Sequence, residues 1–412
     1  MHSVSRIASV ARVASRASLA SRVAPFLCLA ALVAAAQVAC SSSSDPPATP
    51  GAGQGSSGTD PGGNTSGGPG GSADGSTASS DGSTSTDGPA TGCGTCPSGS
   101  TCGSANGLPV CRAASGVPLF THVFVIMMEN TSKSSLDAAT NTPYLKSLAT
   151  KWATGSDYHG TSHPSLPNYL ALTSGSDHAV GCDCDPVGSA CSLCNTVAFP
   201  SGCGCNQSAA HLGDQLDTAS KTWKAYADGA SKPCDTTNAG AYATRHVPFL
   251  YYENMKAATA DARCTSHVVP YTGFAADLGG TTPDFSYIAP SLDHDMHGTG
   301  LQQSTADVAA GDTWLSTNAQ AILDSAAFKN GGLLVIVWDE DDGSGGIVPP
   351  KTDDPIPIYV MSPYAKSVPG GYVSPVNGNH YSLLATIEDA LNLPRMGSAV
   401  GKTPLADYFP AN

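Results

Sequence analysis

The chain has 412 residues, 41% of them hydrophobic and 13% charged, and a formal net charge of −14 at pH 7. With no basic stripe and no interleaving of aromatic and basic residues, it does not suit nucleic acid, whose phosphates are gathered by Lys and Arg. An anionic ligand would have to be attracted locally, and bound cations are the first candidates for that positive charge.

Arg6, Arg12, Arg16 and Arg22 lead into an apolar run over residues 24–39, interrupted by Pro25 and Gln37. Residues 1–40 therefore read as an export signal, too short and too rich in small residues for a membrane span. Val38-Ala39-Cys40 followed by four serines resembles a bacterial lipoprotein cleavage box, with Gln37 where an aliphatic residue is usual. The expectation is an exported chain, lipid-anchored through Cys40 at the outer membrane or cell surface, with plain secretion as the other reading. Residues 41–92, mostly Ser, Gly, Thr, Asp, Pro and Ala, have too little apolar surface to offset ordering entropy and read as a disordered linker. Cys93, Cys96, Cys102 and Cys111 follow. They suit a zinc knuckle or a two-disulfide knob over residues 93–112, and an oxidising destination favours disulfides.

The main domain is expected over residues 118–412. THVFVIMM (121–128) is almost continuously apolar, as a strand buried on both faces of a parallel sheet must be. Thr142 and Pro143 open a helix as N-cap and first residue. KTWKAYA (221–227) and DFSYIAP (284–290) read as strands, residues 312–328 as a helix, LLVIVW (333–338) and residues 356–361 as strands, and residues 381–391 as a closing helix before Pro394. Strands alternating with helices predict an α/β fold, a doubly wound, mainly parallel sheet with helices on both faces.

Ligands of such sheets bind beyond the carboxyl ends of the strands. Glu129 and Asn130 follow the first long strand; Asp293, His294, Asp295 and His297 follow DFSYIAP; Asp339, Glu340, Asp341 and Asp342 follow LLVIVW; His380 opens the last helix. Carboxylates and imidazoles converging without matching Lys or Arg would repel one another unless cations lay between them, so one or two divalent metal ions (Zn, Mn, Mg or Ca) are expected. Asp293 and His297, four apart, would share one side of a helical turn and bind one ion, with His380 completing the set. Glu129, Asn130, Asp339 and Glu340 would offer a harder, oxygen-rich set. Ser165, flanked by Pro164 and Pro167 with a helix expected from Pro167, is the candidate nucleophile between them. His294 and His163 are candidates to orient ligands or protonate a leaving group. Asn168, Arg245 and His246 are candidates to meet substrate phosphate, a structural ion pair being the competing role for Arg245 and His246. Asp341 and Asp342 read as solvated turn residues.

HVFVIMMEN (122–130), SHPSLPNYLALTSGS (162–176), KTWKAYADG (221–229), LDHDMH (292–297), VWDEDDG (337–343) and NHYSLLATIEDALNLP (379–394) occur in this order. They resemble the phosphoesterase family of bacterial phospholipases C and secreted acid phosphatases, within the alkaline phosphatase superfamily. The resemblance implies an alkaline-phosphatase-like fold, a catalytic hydroxyl at Ser165, and Glu129, Asn130, Asp293, His297, Asp339, Glu340 and His380 as metal ligands or their close neighbours. A Thr-Phe-Pro-Asn nucleophile motif of the superfamily's diesterases is Ser-Leu-Pro-Asn here, and their Asp-His metal pair is Asp339-Glu340.

Cys182, Cys184, Cys191, Cys194, Cys203, Cys205, Cys234 and Cys264 mark a Cys-rich insertion, read as disulfide-stapled rather than zinc-binding. The expected activity is metal-dependent hydrolysis of phosphate monoesters through a phosphoserine, with phospholipid or phosphoinositide among the substrates; the short stretch after Pro394 looks like the compact acid phosphatases. Three other readings compete. They are a phospholipase C-type phosphodiesterase, a metal-free serine esterase using Ser165, Asp339 and His380, and a non-catalytic surface lipoprotein.

Overall fold

A strand that is apolar almost throughout can be buried on both faces, and three of these, Gly332–Trp338, His122–Met128 and Phe285–Ala289, lie side by side in the central sheet. The computed structural model describes residues 92–187, 205–298, 303–342 and 354–411. By its contacts the chain divides into residues 1–81, none of them described, and residues 82–412, to which everything below refers. The export signal, the Cys40 box and the 41–92 linker up to residue 91 lie outside the described residues, as do Cys191, Cys194 and Cys203.

Strands β1 (Ser100–Ala105) and β2 (Leu108–Ala113) form an antiparallel hairpin. It turns at Asn106 and Gly107, both at positive φ (51° and 77°), a conformation that Asn-Gly adopts readily. Disulfides Cys93–Cys102 and Cys96–Cys111 staple it, and Asn106 Nδ2 donates to the carbonyls of Pro363 (2.9 Å) and Ala365 (2.7 Å). Then come β3 (His122–Met128), α1 (Lys133–Ala138), α2 (Pro143–Ala149), β4 (Ala153–Gly155), β5 (Tyr158–His159) and α3 (Ser165–Ser174). After these follow α4 (Leu212–Thr218), β6 (Trp223–Ala227), α5 (Ala262–His267), β7 (Val268–Pro270), α6 (Phe274–Gly279) and β8 (Phe285–Ala289). The chain closes with α7 (Thr305–Asp324), α8 (Ala326–Lys329), β9 (Gly332–Trp338), β10 (Ile358–Met361), β11 (Tyr372–Ser374), β12 (Gly378–Asn379) and α9 (His380–Ala390).

Eight of these strands make one sheet in the order β11-β4-β10-β9-β3-β8-β6-β7, and β5 pairs with β12 beside it. β10 runs antiparallel to both neighbours, while every other described pairing in the sheet is parallel. The expected strand over residues 356–361 is thus present but reversed. β8 and β9 are buried along their whole length, so both sheet faces are covered, and α3 packs on α9 and α2 on α7. The fold is mixed α/β with a mostly parallel central sheet.

The helix expected over residues 312–328 is two helices. Ser304 and Asp307 form a capping box that starts α7 at Thr305, and Ser325, extended at ψ 156°, ends it and caps α8. The expected cap of α2 is also different. Thr142 holds the N-cap position, but its Oγ1 is buried without a hydrogen-bond partner, and Asp312 of α7 caps the helix instead. Asp312 is buried and accepts from the Tyr144 N–H (3.0 Å) and the Leu145 N–H (2.9 Å). Asp312→Ala should lower unfolding free energy by about 2–3 kcal/mol by orphaning two buried donors, read as a lower denaturant midpoint at unchanged m.

Glu388 on α9 carries a pH dependence. Its Oε1 accepts from Gln215 Nε2 (3.0 Å) and the Met396 N–H (2.8 Å), while Oε2 has no partner and the side chain is fully buried. Burial pushes its carboxyl up to about 8. The folded state then holds a proton that the unfolded chain releases above its ordinary value of 4.5, so stability falls as pH rises from that value to about 8. The Glu388→Gln variant should flatten this slope, at most about 1.4 kcal/mol per pH unit, in unfolding curves between pH 5 and 8.

Candidate active site

The three central strands β9, β3 and β8 end on the same side, and the residues just past them are tied by main-chain bonds. Glu129 N–H donates to the Asp295 carbonyl (2.9 Å), Thr131 N–H to the Glu340 carbonyl (3.2 Å), and Asp339 N–H to the Met128 carbonyl (3.0 Å). Asn130 is held at φ 41°, a left-handed conformation costly for a side-chain-bearing residue, and its N–H donates to Asp339 Oδ1 (2.9 Å). Glu129, Asn130, Asp295, Asp339 and Glu340 thereby reach one rim from three loops.

Ser165 faces them from the first turn of α3. The helix begins at Ser165, two residues before the expected start at Pro167, with Pro164 as its N-cap at φ −76°. Pro167 sits in that first turn, where a missing N–H costs no bond. At the other end Gly175 at φ 71° closes α3, with its N–H on the Ala171 carbonyl. The Ser165 hydroxyl lies 3.0 Å from Glu129 Oε2 and 3.3 Å from Glu340 Oε1, so its single proton is shared between two carboxylates. Tyr169, one helical turn on, donates to Glu129 Oε1 (2.5 Å).

Asn168 was a candidate for substrate contact, and its burial corrects that. It is wholly buried and clamps the preceding loop: Oδ1 accepts from the Thr161 N–H (2.8 Å), Thr161 Oγ1 (2.9 Å) and the Ser162 N–H (3.0 Å). Its Nδ2 donates to the carbonyls of Ser162 (2.7 Å) and Pro164 (3.2 Å). Gly160 completes the tight passage, since a Cβ there would lie 3.0 Å from the Asp339 carbonyl oxygen. Asn168→Ala should free the Ser165 loop, lowering kcat on a phosphate ester about 10–100-fold through misplacement of the hydroxyl, while far-UV circular dichroism stays native.

The electrostatics are those of buried like charges. Burial pushes Glu129 up even though Arg245 opposes it; burial and the charge of Glu129 hold Asp295 well above the usual carboxylate range; Asp339 is raised by burial and by Glu129 and Glu340. Burial raises Glu340 to about 7, against the pull of its bond to His163. His163 Nδ1 pairs with Glu340 Oε2, and its Nε2 lies 3.4 Å from Asp341 Oδ1. Burial alone would lower His163, but these two carboxylates outweigh it and bring it to about 9, an imidazolium at neutral pH. His246 is the opposite case: burial and the charges of Arg245 and His297 keep it neutral. Its ring stacks on Tyr169 at 5.5 Å, with Nε2 3.0 Å from Glu129 Oε1 and Nδ1 3.7 Å from Asp295 Oδ2.

Several expected positions move. Asp293 and His297 do not share a helical turn, because the segment after β8 is a bend with Met296 at φ 80°. Asp293 is exposed and lines a cavity with His294 and Trp314, whereas Asp295 reaches the rim and accepts from the His297 N–H (2.8 Å). His297 is close enough for its charge to act on Glu129. His380 stands behind the rim: Nε2 is 2.6 Å from the Asp339 carbonyl and Nδ1 3.1 Å from the Tyr158 hydroxyl, leaving no nitrogen for a cation. The same contacts remove the Ser165, Asp339, His380 triad, since His380 does not touch Ser165. His294 is partly exposed and tied to Asp228 (2.6 Å). Asp341 is buried against His163, and Asp342 accepts from Ser135, so neither is a solvated turn residue. Arg245 Nε lies 3.5 Å from Asp183 Oδ2, a residue of the Cys-rich insertion that sequence spacing did not single out. Cys184–Cys205 and Cys234–Cys264 are the disulfides described in that region.

Asn130 Oδ1, Asp295 Oδ2 and Asp339 Oδ2 are buried with no hydrogen-bond partner among the described residues. With Glu129 and Glu340 they are oxygen donors of the chemistry a hard divalent cation takes, although among the described residues no three of these carboxylates bring ligand atoms within 4.8 Å of one another.

Chemistry placed at the carboxyl ends of parallel strands puts this chain among the α/β enzymes. Residues 136–394 match the model of the Phosphoesterase family. The phosphatidylinositol-3-phosphatase of Mycobacterium tuberculosis is 30% identical over 299 residues, 72% of this chain and 85% of that protein. An acid phosphatase of Aspergillus fumigatus is 22% identical over 287 residues, 68% of this chain but only 56% of the relative's length. A solved alkaline phosphatase superfamily protein from Vibrio parahaemolyticus has a TM-score of 0.46 and 12% identity, covering 70% of this chain and 72% of that one. The chain belongs to the Phosphoesterase family and is a hydrolase acting on phosphoric ester bonds.

Proposed function

We propose that this chain is an exported, divalent-cation-dependent phosphomonoesterase working through a phosphoserine at Ser165. The observation that carries the reading is the Ser165 hydroxyl held between Glu129 and Glu340, beside the unpartnered oxygens of Asn130 and Asp339. Glu129, Asn130, Asp339, Glu340 and Ser165 would hold one cation, with Asp295 facing it across His246; this keeps the oxygen-rich set and leaves out the one built on Asp293, His297 and His380. When bound, such an ion lowers the pKa of the serine hydroxyl and offsets charge on the phosphoryl oxygens.

Ser165 Oγ attacks phosphorus as its proton passes to Glu129 or Glu340, the two acceptors already in place. The bond from phosphorus to the leaving oxygen breaks, and that oxygen takes a proton from solvent or from the His163 imidazolium. Arg245 supplies positive charge for the phosphoryl group. Water then cleaves the phosphoserine, returning Ser165 and free phosphate. The Mycobacterium tuberculosis relative's name makes a phosphoinositide monoester the first natural substrate to try. Lipid anchoring through Cys40 would place the enzyme at a membrane surface.

The test compares p-nitrophenyl phosphate with p-nitrophenyl phosphorylcholine, each before and after EDTA. Turnover of the first, abolished by EDTA and restored by Mn, Mg, Ca or Zn, is expected. Turnover of only the second would make the enzyme a phospholipase C-type diesterase, and activity indifferent to EDTA would remove the cation.

A further inference from the structure

Asp183 belongs to the Cys-rich insertion, yet its carboxylate reaches the first turn of α3. Oδ1 accepts from the N–H of Leu166, the residue after Ser165 (2.9 Å), and Oδ2 lies 3.5 Å from Arg245 Nε. Because Pro167 has no N–H, the first three residues of α3 supply only two main-chain donors, and Asp183 occupies one of them. The Arg245 charge acts both on Asp183 and on Glu129. The position is built rather than incidental: Cys182 and Cys184 on either side are buried, Cys184 is bridged to Cys205, and Tyr251 donates to the Cys184 carbonyl (2.6 Å). The oxygens of a phosphate ester in line for attack by Ser165 need these same donors, an N–H at the head of α3 and the Arg245 guanidinium.

We propose that Asp183 is an internal competitor for the phosphoryl subsite, a carboxylate that occupies Leu166 N–H and Arg245 in the empty enzyme and must yield them to the substrate. This deepens the phosphomonoesterase reading and rests on it. Its consequence is specific: Asp183 weakens the hold on free phosphate and so favours release of product from a site that would otherwise retain it. The displaced carboxylate returns to the two donors as phosphate departs, and no covalent bond is involved.

The isosteric Asp183→Asn variant keeps an oxygen for Leu166 N–H and removes the charge. With the cation present, KM for p-nitrophenyl phosphate and Ki for inorganic phosphate should both fall about tenfold at low ionic strength, the gap narrowing with added salt, while kcat changes less than about threefold. Asp183→Glu, which keeps the charge, should bind phosphate no more tightly than the unaltered protein. Calorimetric titration of inorganic phosphate into each protein supplies a readout separate from turnover. Unchanged or weaker phosphate binding by Asp183→Asn, in a preparation whose unaltered enzyme hydrolyses p-nitrophenyl phosphate, overturns the inference and leaves the functional reading standing; it would make Asp183 a residue that positions Arg245. An unaltered enzyme that neither hydrolyses phosphate monoesters nor binds phosphate defeats the functional reading, and this inference with it.

Discussion

Ser165→Ala is expected to lower kcat/KM for p-nitrophenyl phosphate by about 10⁴-fold or more, with secondary structure retained. The size follows from what surrounds the hydroxyl. Its neighbours are carboxylates, Glu129 at 3.0 Å and Glu340 at 3.3 Å, and no imidazole is bonded to it among the described residues. A water put in place of the hydroxyl would find the same acceptors but would lack the rigid hold that α3 gives Oγ. The variant also loses the covalent intermediate, so phosphoserine trapped by acid quench from the unaltered enzyme must vanish from it. A variant retaining even a tenth of the activity would mean that water, not Ser165, attacks phosphorus.

Asp339→Asn should change stability in opposite directions with and without cation. Glu129, Asp295, Asp339 and Glu340 are all buried, and burial raises each of them. Without cation, deleting one charge relieves repulsion, so the chelated variant should melt above the chelated parent; the amide still accepts from Asn130 N–H through Oδ1. With cation the order should invert. A ligand present at a hundred to a thousand times its Kd adds about 3–4 kcal/mol to the protein that binds it, and the variant forgoes most of that. Turnover should fall about a thousandfold alongside. Calorimetric melting of both proteins with EDTA and with Mn decides it: identical shifts on adding Mn would mean that Asp339 is no ligand.

The residues at the rim were legible where chemistry follows directly on a long apolar strand. Glu129 and Asn130 after β3, and Asp339 and Glu340 after β9, lie where the end of a buried strand places them, because main-chain pairing in a parallel sheet leaves little choice of where the next side chain goes. Beyond β8 that guidance ended. The four-residue spacing of Asp293 and His297 was read as helical, but the segment bends at Met296, so Asp295 turns inward and Asp293 outward. His380 has the residue type of a ligand but braces the Asp339 carbonyl, a role visible only once β12 and α9 are beside β9. Asp183 carried no signal at all, since its partners Leu166 and Arg245 are brought to it by the fold and not by spacing.

The sequence by itself determined the α/β class and the three largely apolar central strands, because apolar periodicity and strand-end position are local properties of the chain. The tertiary structure alone decided the reversed direction of β10, the start of α3 at Ser165 itself, the inward turn of Asp295 beside an exposed Asp293, and the contact of Asp183 with the Leu166 N–H. Each of these depends on contacts between segments far apart in the chain, where hydrogen-bond satisfaction and the cost of burying charge outweigh local preference.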